Sequence, residues 1–237
     1  MYRFAIPYLM LFSALILPFG HSQAEEVKDI DPYQDLNRTI HQFNLTLDKY
    51  IARPAAVVYT SLTPDPVEKG FANMFANLNE INNVVNDLLQ GKFAQAANDS
   101  GRFLINTTFG LGGLFEVASP LGLAKGEGED FAQTLATWGV PEGPFLMLPL
   151  LGPSTLRDVP SKFVDSLTNP VSEISDVSHR NSLRVLSLLS ARAELLDYDD
   201  VISGDNYTFI RDVYLQRREY LENDGVIEDD FGDLDDY

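Results

Sequence analysis

The residues able to do covalent or acid–base chemistry are few, and their spacing does not favour it. Past the first 24 residues, the 237-residue chain holds two histidines, His41 and His179, and no cysteine. Neither histidine belongs to an H-x-x-x-H or H-E-x-x-H pattern, the spacing that puts two ring nitrogens on one helix face for a metal. Each reads as a surface or core-edge histidine. The lack of cysteine excludes thiol catalysis, cysteine–zinc sites and disulfides, so the core must hold by packing alone. No serine sits in a G-x-S-x-G elbow. Gly110-Leu-Gly-Gly113 departs from G-x-G-x-x-G and follows no clear strand, so it is a weak phosphate cradle. Carboxylates are plentiful, but Asp130 before Phe131 and Asp158 after Arg157 read as caps or ion-pair partners. A glycosidase pair would need a defined separation. No catalytic residue, metal or cofactor is expected, and the chain reads as a non-enzyme.

What remains is the chemistry of apolar surface. Between Gly139 and Pro153 stand four prolines, which forbid a regular helix. Within that stretch Phe145, Leu146, Met147, Leu148, Leu150 and Leu151 place six large apolar side chains in seven positions. Full burial of all six would contribute roughly 9–18 kcal/mol as an upper bound, at about 1.5–3 kcal/mol each. Water does not tolerate such a segment exposed. Two readings stay open: a loop threading the core of the domain, or a loop whose side chains touch lipid. Irregular backbone is permitted at membrane depth where protein or a cavity satisfies its polar groups.

The elements that position this segment read as helices. Asp31-Pro32, Asp65-Pro66 and Asn169-Pro170 each put a capping side chain before a proline, predicting three helix starts. Glu68, three residues after Asp65, suggests a capping box. The first helix carries Tyr33, Leu36, Ile40, Phe43, Leu47, Tyr50 and Ile51 on one face and is expected to stop before Pro54. A second long pattern runs from Val67 to Gly91, with room for a bend, and a shorter one carries Phe93, Ala97, Phe103 and Leu104. Helical pattern returns near Asp130 to Trp138, over Val171 to Leu196, and from Asp205 to about Leu221. Strand-type alternation is scarce.

The ends differ from the middle. Arg3, an apolar stretch from Ala5 to Gly20 and Ser22-Gln23-Ala24 predict a secretory signal over residues 1–24, cleaved before Glu25. Residues 25–225 then form a single helical domain. Residues 226–237 form an acidic, disordered tail; eight of the last 16 residues are acidic. Net charge is −18, which argues against nucleic acid and against electrostatic adhesion to anionic lipid. Membrane contact must come from apolar burial.

A set of residues spread over 31–225 resembles the MlaA family, also called VacJ. It includes Asp31-Pro32, Asn37-Arg38, Phe43-Asn44, Asp48, Pro54, Asn77-Leu78 and Leu88-Leu89-Gln90-Gly91. It continues through Arg102-Phe103, Asn106-Thr107, Gly110 and Gly112-Gly113. The densest block is Asp130-Phe131, Gln133-Thr134-Leu135, Trp138-Gly139-Val140, Gly143-Pro144, Pro149-Leu-Leu-Gly-Pro-Ser154 and Arg157-Asp158. Arg192-Ala193, Leu195-Leu196-Asp197 and Tyr214-Leu-Gln-Arg-Arg218 complete it. The resemblance implies an all-α, ring-like assembly of amphipathic helices around a central channel, with an irregular Gly/Pro-rich apolar hairpin at about Gly139–Ser154. Gly139, Gly143 and Gly152 would be its hinges, and the six apolar residues named above would contact lipid. It implies transport of mislocalised phospholipid from the outer leaflet toward a soluble periplasmic lipid carrier, beside a trimeric porin, in the inner leaflet of the outer membrane. A non-transporting envelope scaffold that binds porin or carrier is the alternative. Ala132 and Ser161 stand where the family usually has glycine, Phe145 where tyrosine is common, Glu116 where aspartate is common, and Asn206 for a usual proline. Many members are lipoproteins, and this chain lacks the cysteine they acylate, so outer-membrane association without lipidation is expected.

Overall fold

A computed structural model describes residues 29–199 and 204–226. The expected signal over residues 1–24 lies outside them, as does all of the acidic tail except Val226. The chain is helical, and its helices are α1 (Gln34–Leu47), α2 (Arg53–Leu62), α3 (Asp65–Gln90), α4 (Phe93–Thr108) and α5 (Phe131–Thr137). They continue after a hairpin of β1 (Phe145–Leu148) and β2 (Gly152–Thr155) with α6 (Asp158–Thr168), α7 (Val177–Glu194) and α8 (Asn206–Glu222). No described helix is long and apolar enough to cross a membrane.

Several local expectations are corrected. The first helix does not stop before Pro54: a π-helical turn, Asp48–Ala52, carries it into α2. The wider turn gives the proline ring room where an α-turn would press it against the preceding carbonyl. Bidentate contacts from Arg192 at the end of α7 to Asp48, at 2.6 and 3.0 Å, fasten that turn. Asp31 does not cap α1, and neither Asp65 nor Glu68 caps α3. Asn169 does accept from the Val171 N–H, but over a short 3-10 turn, Pro170–Glu173. α7 starts later, capped by Asp176. Asp130 and Asp205 are true N-caps, accepting from the Gln133 and Tyr207 N–H groups.

The helices pack in the opposite sense to a water-soluble bundle. On α3 the buried positions include Asn77, Glu80, Asn83 and Asp87, recurring every three or four residues. On α4 they are Ala96, Asp99, Arg102 and Asn106. These stripes meet. Arg102 donates from Nε to Glu80 at 2.9 Å, Asn83 donates to the other Glu80 oxygen at 2.8 Å, and Asn77 donates to the Thr107 hydroxyl at 2.9 Å. The loop after α4 is held the same way. Arg102 reaches the Leu123 carbonyl, Asn106 accepts from the Val117 and Ala118 N–H groups, and Asn83 accepts from the Glu129 N–H. Gly113 closes α4 against Asn77, where a Cβ would come within 2.8 Å of the amide nitrogen. That is the role of the glycine run, not a phosphate cradle.

Large apolar side chains face outward instead. Leu36, Phe43, Tyr50 and Ile51 on the first helical segment, Leu88 and Leu89 on α3, Phe93 and Leu104 on α4, and Phe163 and Leu167 on α6 are all exposed. The buried apolar core is small, centred on Phe145, Met147 and Tyr207.

One buried pair tests the polar interior. Asp87 and Asp99 lie fully buried between α3 and α4, and no donor reaches either Asp87 carboxyl oxygen. Burial, together with the charges of Asp99 and Glu129, pushes the Asp87 carboxyl up to about 7. An acid whose pKa is raised on folding keeps its proton where the unfolded chain has lost it. Stability therefore falls as pH rises from about 4, the ordinary aspartate value, to about 7. Asp87→Asn is expected to flatten that slope and to gain up to about 4 kcal/mol at pH 8. Denaturant titrations of detergent-solubilised protein between pH 4 and 8 measure it.

Candidate functional site

The apolar segment forms an antiparallel hairpin, with Phe145 opposite Thr155 and Leu148 opposite Gly152. Its outer edge would leave backbone groups unpaired, and two asparagines of α1 supply the partners. Asn37 donates to the Phe145 carbonyl at 3.1 Å and accepts from the Met147 N–H at 2.8 Å. Asn44 donates to the Leu148 carbonyl at 2.9 Å and accepts from the Leu150 N–H at 2.8 Å. The registers agree because seven helical residues rise about 10.5 Å, close to the roughly 10 Å of three strand residues. The helix thus stands in for a third strand through its side-chain amides. Phe145 N–H completes the edge by donating to the Ile30 carbonyl at 2.8 Å.

α8 closes the other side. Tyr207 packs edge-on to Phe145 and donates its hydroxyl to Asp31 at 2.5 Å, and Asp31 also accepts from Asn37 at 2.8 Å. Arg211 adds an ion pair to Asp31. Burial, then the hydrogen bond to Asp31, raises the Tyr207 phenol well above its usual range. Arg218, near the end of α8, ties to Asp130 at 2.6 Å and to Asp158 at 3.3 Å. Tyr214 donates to Asp158, and Arg157 pairs with Glu222. Asp130 is both a helix cap and an ion-pair partner, whereas Asp158 is an ion-pair partner that caps no helix. His41 sits inside this wall, 2.8 Å from Asn206.

The six apolar residues of the segment therefore divide. Phe145 and Met147 are 0% and 2% exposed, sealed against Tyr207 and Ile40. For these two, lipid contact is corrected to a core role. Leu146 and Leu148 are half-buried. Leu150 and Leu151 project from the tip at 75% and 65% exposure. The alternation follows from strand geometry, which points successive side chains to opposite faces. Gly139, Gly143 and Gly152 all have positive φ, between 75° and 83°. So does Leu150, at 66°, a conformation that costs a non-glycine residue about 1–2 kcal/mol. Asn44, bonded to the Leu150 N–H, helps to hold it there.

A second feature lies away from the hairpin. α3, α7 and the turn at 169–171 border an open amphipathic cavity of about 490 Å³. Phe75, Leu78, Leu183 and Leu188 form its apolar walls, with Asn79 and Arg184 among its polar ones. Such a space accepts part of an acyl chain with a polar group at its lip. No cluster of described residues has the geometry to hold a metal.

Reading the sequence did not assign Asn37 and Asn44 a role, although both belong to the family pattern. Their spacing of seven, beside an apolar face, was the available signal. Its meaning depended on a strand edge more than 100 residues away. The cavity carried no sequence signal, because its lining comes from separate elements.

Comparison with known proteins is consistent across the chain. The profile of the MlaA lipoprotein family matches residues 29–221. Two proteins named intermembrane phospholipid transport system lipoprotein MlaA, from Shigella flexneri and Escherichia coli K12, are each 34% identical over 96% of this chain and 96% of their own length. A solved structure described as the structural basis for maintenance of bacterial outer membrane lipid asymmetry aligns with a TM-score of 0.72 and 36% identity. It covers 81% of this chain and 99% of the other.

The asparagine clamp makes a specific prediction. Asn37→Asp keeps the acceptor for the Met147 N–H but loses the donor to Phe145 and faces Asp31. Loss of buried hydrogen bonds of this kind costs about 1–3 kcal/mol. Hydrogen exchange at the Met147 and Leu150 amides is expected to rise sharply in Asn37→Asp and Asn44→Ala respectively, while α3 and α4 amides stay protected.

Proposed function

The chain belongs to the MlaA lipoprotein family, and on that premise we propose that it transports phospholipid at the outer membrane without catalysing a reaction. The observation that carries this reading is the inverted polarity of the fold. Asparagine, carboxylate and arginine side chains fill the helix interfaces, while large apolar side chains cover the outside. In water this arrangement forfeits the hydrophobic driving force, because the apolar surface stays hydrated. In a bilayer it is favourable: the exterior meets acyl chains, and the interior hydrogen bonds hold the helices together. The chain thus sits in the membrane as a peripheral body, and no described helix is long and apolar enough to span it.

Within that setting the cavity between α3 and α7 is a passage for a lipid, with acyl carbon on Phe75 and Leu78 and a polar group at Asn79 and Arg184. The ring and central channel implied by the family resemblance belong to this reading. The hairpin tip, Leu150 and Leu151, reaches into the acyl layer, and the asparagine clamp satisfies its backbone there. The cargo moves from the outer leaflet toward a soluble periplasmic carrier, and a trimeric porin braces the protein in the inner leaflet. The relatives named above are lipoproteins, whereas this chain has no cysteine to acylate. Its association with the membrane then rests on apolar burial, at about 25 cal/mol per Å² removed from water.

Purified protein is expected to co-isolate with phospholipid, and exported protein to fractionate with the outer membrane. Leu150→Asp with Leu151→Asp is expected to weaken membrane retention at least tenfold in flotation assays, from the loss of about 1.5–3 kcal/mol per buried leucine. Recovery of the wild-type protein wholly in the soluble periplasm, free of lipid, would leave only the scaffold reading.

A further inference from the structure

Resting on the transport reading, we infer that Arg180 and Arg184 form a headgroup site that selects anionic glycerophospholipids over zwitterionic ones. The reasoning begins with charge pairing. Of the ten arginines among the described residues, eight have a carboxylate within ion-pair distance. In a chain of net charge −18 that is the expected condition. The two exceptions among the described residues stand one turn apart on α7 and face the same short turn. Arg180 donates from Nη1 to the Ile174 carbonyl at 3.3 Å, and Arg184 from Nη2 to the Ser172 hydroxyl at 3.2 Å. Arg184 also lines the amphipathic cavity. Arg180 Nε is buried with no acceptor.

A guanidinium carries five N–H donors, so each of these uses one and leaves the rest free. An unpaired buried donor is costly, and an anion between the two side chains would offset that cost. The cavity walls supply the second half of the specification: Phe75, Leu78 and Leu183 suit an acyl chain and not a free ion. A phosphodiester linked to acyl chains satisfies both halves. Discrimination follows from sign. A zwitterionic headgroup brings an ammonium close to two guanidiniums that no carboxylate pairs with, a like-charge contact that disfavours it. A headgroup bearing only hydroxyls keeps its full negative charge and adds no such conflict.

The test offers the full-length protein vesicles of equimolar phosphatidylglycerol and phosphatidylethanolamine, with co-isolated lipid measured by mass spectrometry. Wild-type protein is expected to be enriched in phosphatidylglycerol by about tenfold, the value of one charge-assisted pair. Arg180→Gln with Arg184→Gln is expected to bring the ratio near unity while total lipid per protein holds. Arg184→Gln alone, on an exposed side chain, lowers it partway and serves if the double variant does not fold. Arg184→Lys keeps most of the preference. An unchanged ratio in the variants, or wild-type lipid at the vesicle ratio, overturns this inference and leaves the transport reading intact. Wild-type protein that carries no phospholipid overturns both. Displacement of the lipid preference by millimolar inorganic phosphate would assign the site to a free anion and overturn the lipid assignment.

Discussion

The contact of α3 with α4 answers to one constraint: the polar side chains buried there must find partners within the protein. A buried asparagine or carboxylate left unpaired costs about 1–3 kcal/mol, more for charged groups. The chain meets this with shared partners. Glu80 takes Arg102 and Asn83, Asn106 takes two backbone N–H groups, and Asp158 takes Tyr214 and Arg218. Asn106 thereby ties the loop after α4 back to that helix, and Asp158 ties α6 to α8. The same constraint explains why α3 tolerates so many asparagines, weak helix formers whose side chains compete for backbone. Here those side chains are occupied across the interface.

The hairpin is the place where irregular backbone meets this rule most directly. A two-stranded ribbon alone is marginal, and its outer edge would be exposed to whatever surrounds the protein. α1 covers that edge with Asn37 and Asn44, and α8 covers its inner face with Tyr207 and Tyr214. What remains outside is a tip of two leucines. The π-turn at Asp48–Ala52 lets α1 serve the hairpin while α2 continues on to pack against α7, and Arg192 ties the turn to the end of α7. Hairpin and cavity wall are thereby parts of one connected framework.

The acidity of the chain acquires a structural meaning in this light. Part of it lies inside, with Asp31, Glu80, Glu129 and Asp158 accepting from arginine, asparagine, lysine or tyrosine. Arg157, Arg218, Glu142, Asp158 and Glu222 form a dense cluster near the end of α8, where burial and the Glu222 charge raise the Glu142 carboxyl above its ordinary range. Among the described residues the two arginines without an acidic partner, Arg180 and Arg184, stand one turn apart on α7 against that background.

Helix content, the cap at Asp130, the helix start at Asp205 and the family were legible from residue order, because they depend on neighbours within a turn or on a pattern spread along the chain. The prolines of 139–153 likewise excluded a helix there. Which face of each helix is buried was not legible: α1 and α3 are amphipathic, and the same stripe serves a core in water or a surface in lipid. Only the tertiary arrangement decided that, by pairing the polar stripe of α3 with that of α4. It also split the apolar segment, since Phe145 and Met147 point to one face of a strand and the tip residues to none. The assignments that failed at Asp31 and Pro54 share one reason. Each side chain or ring was claimed by a partner or a turn geometry that local sequence does not contain.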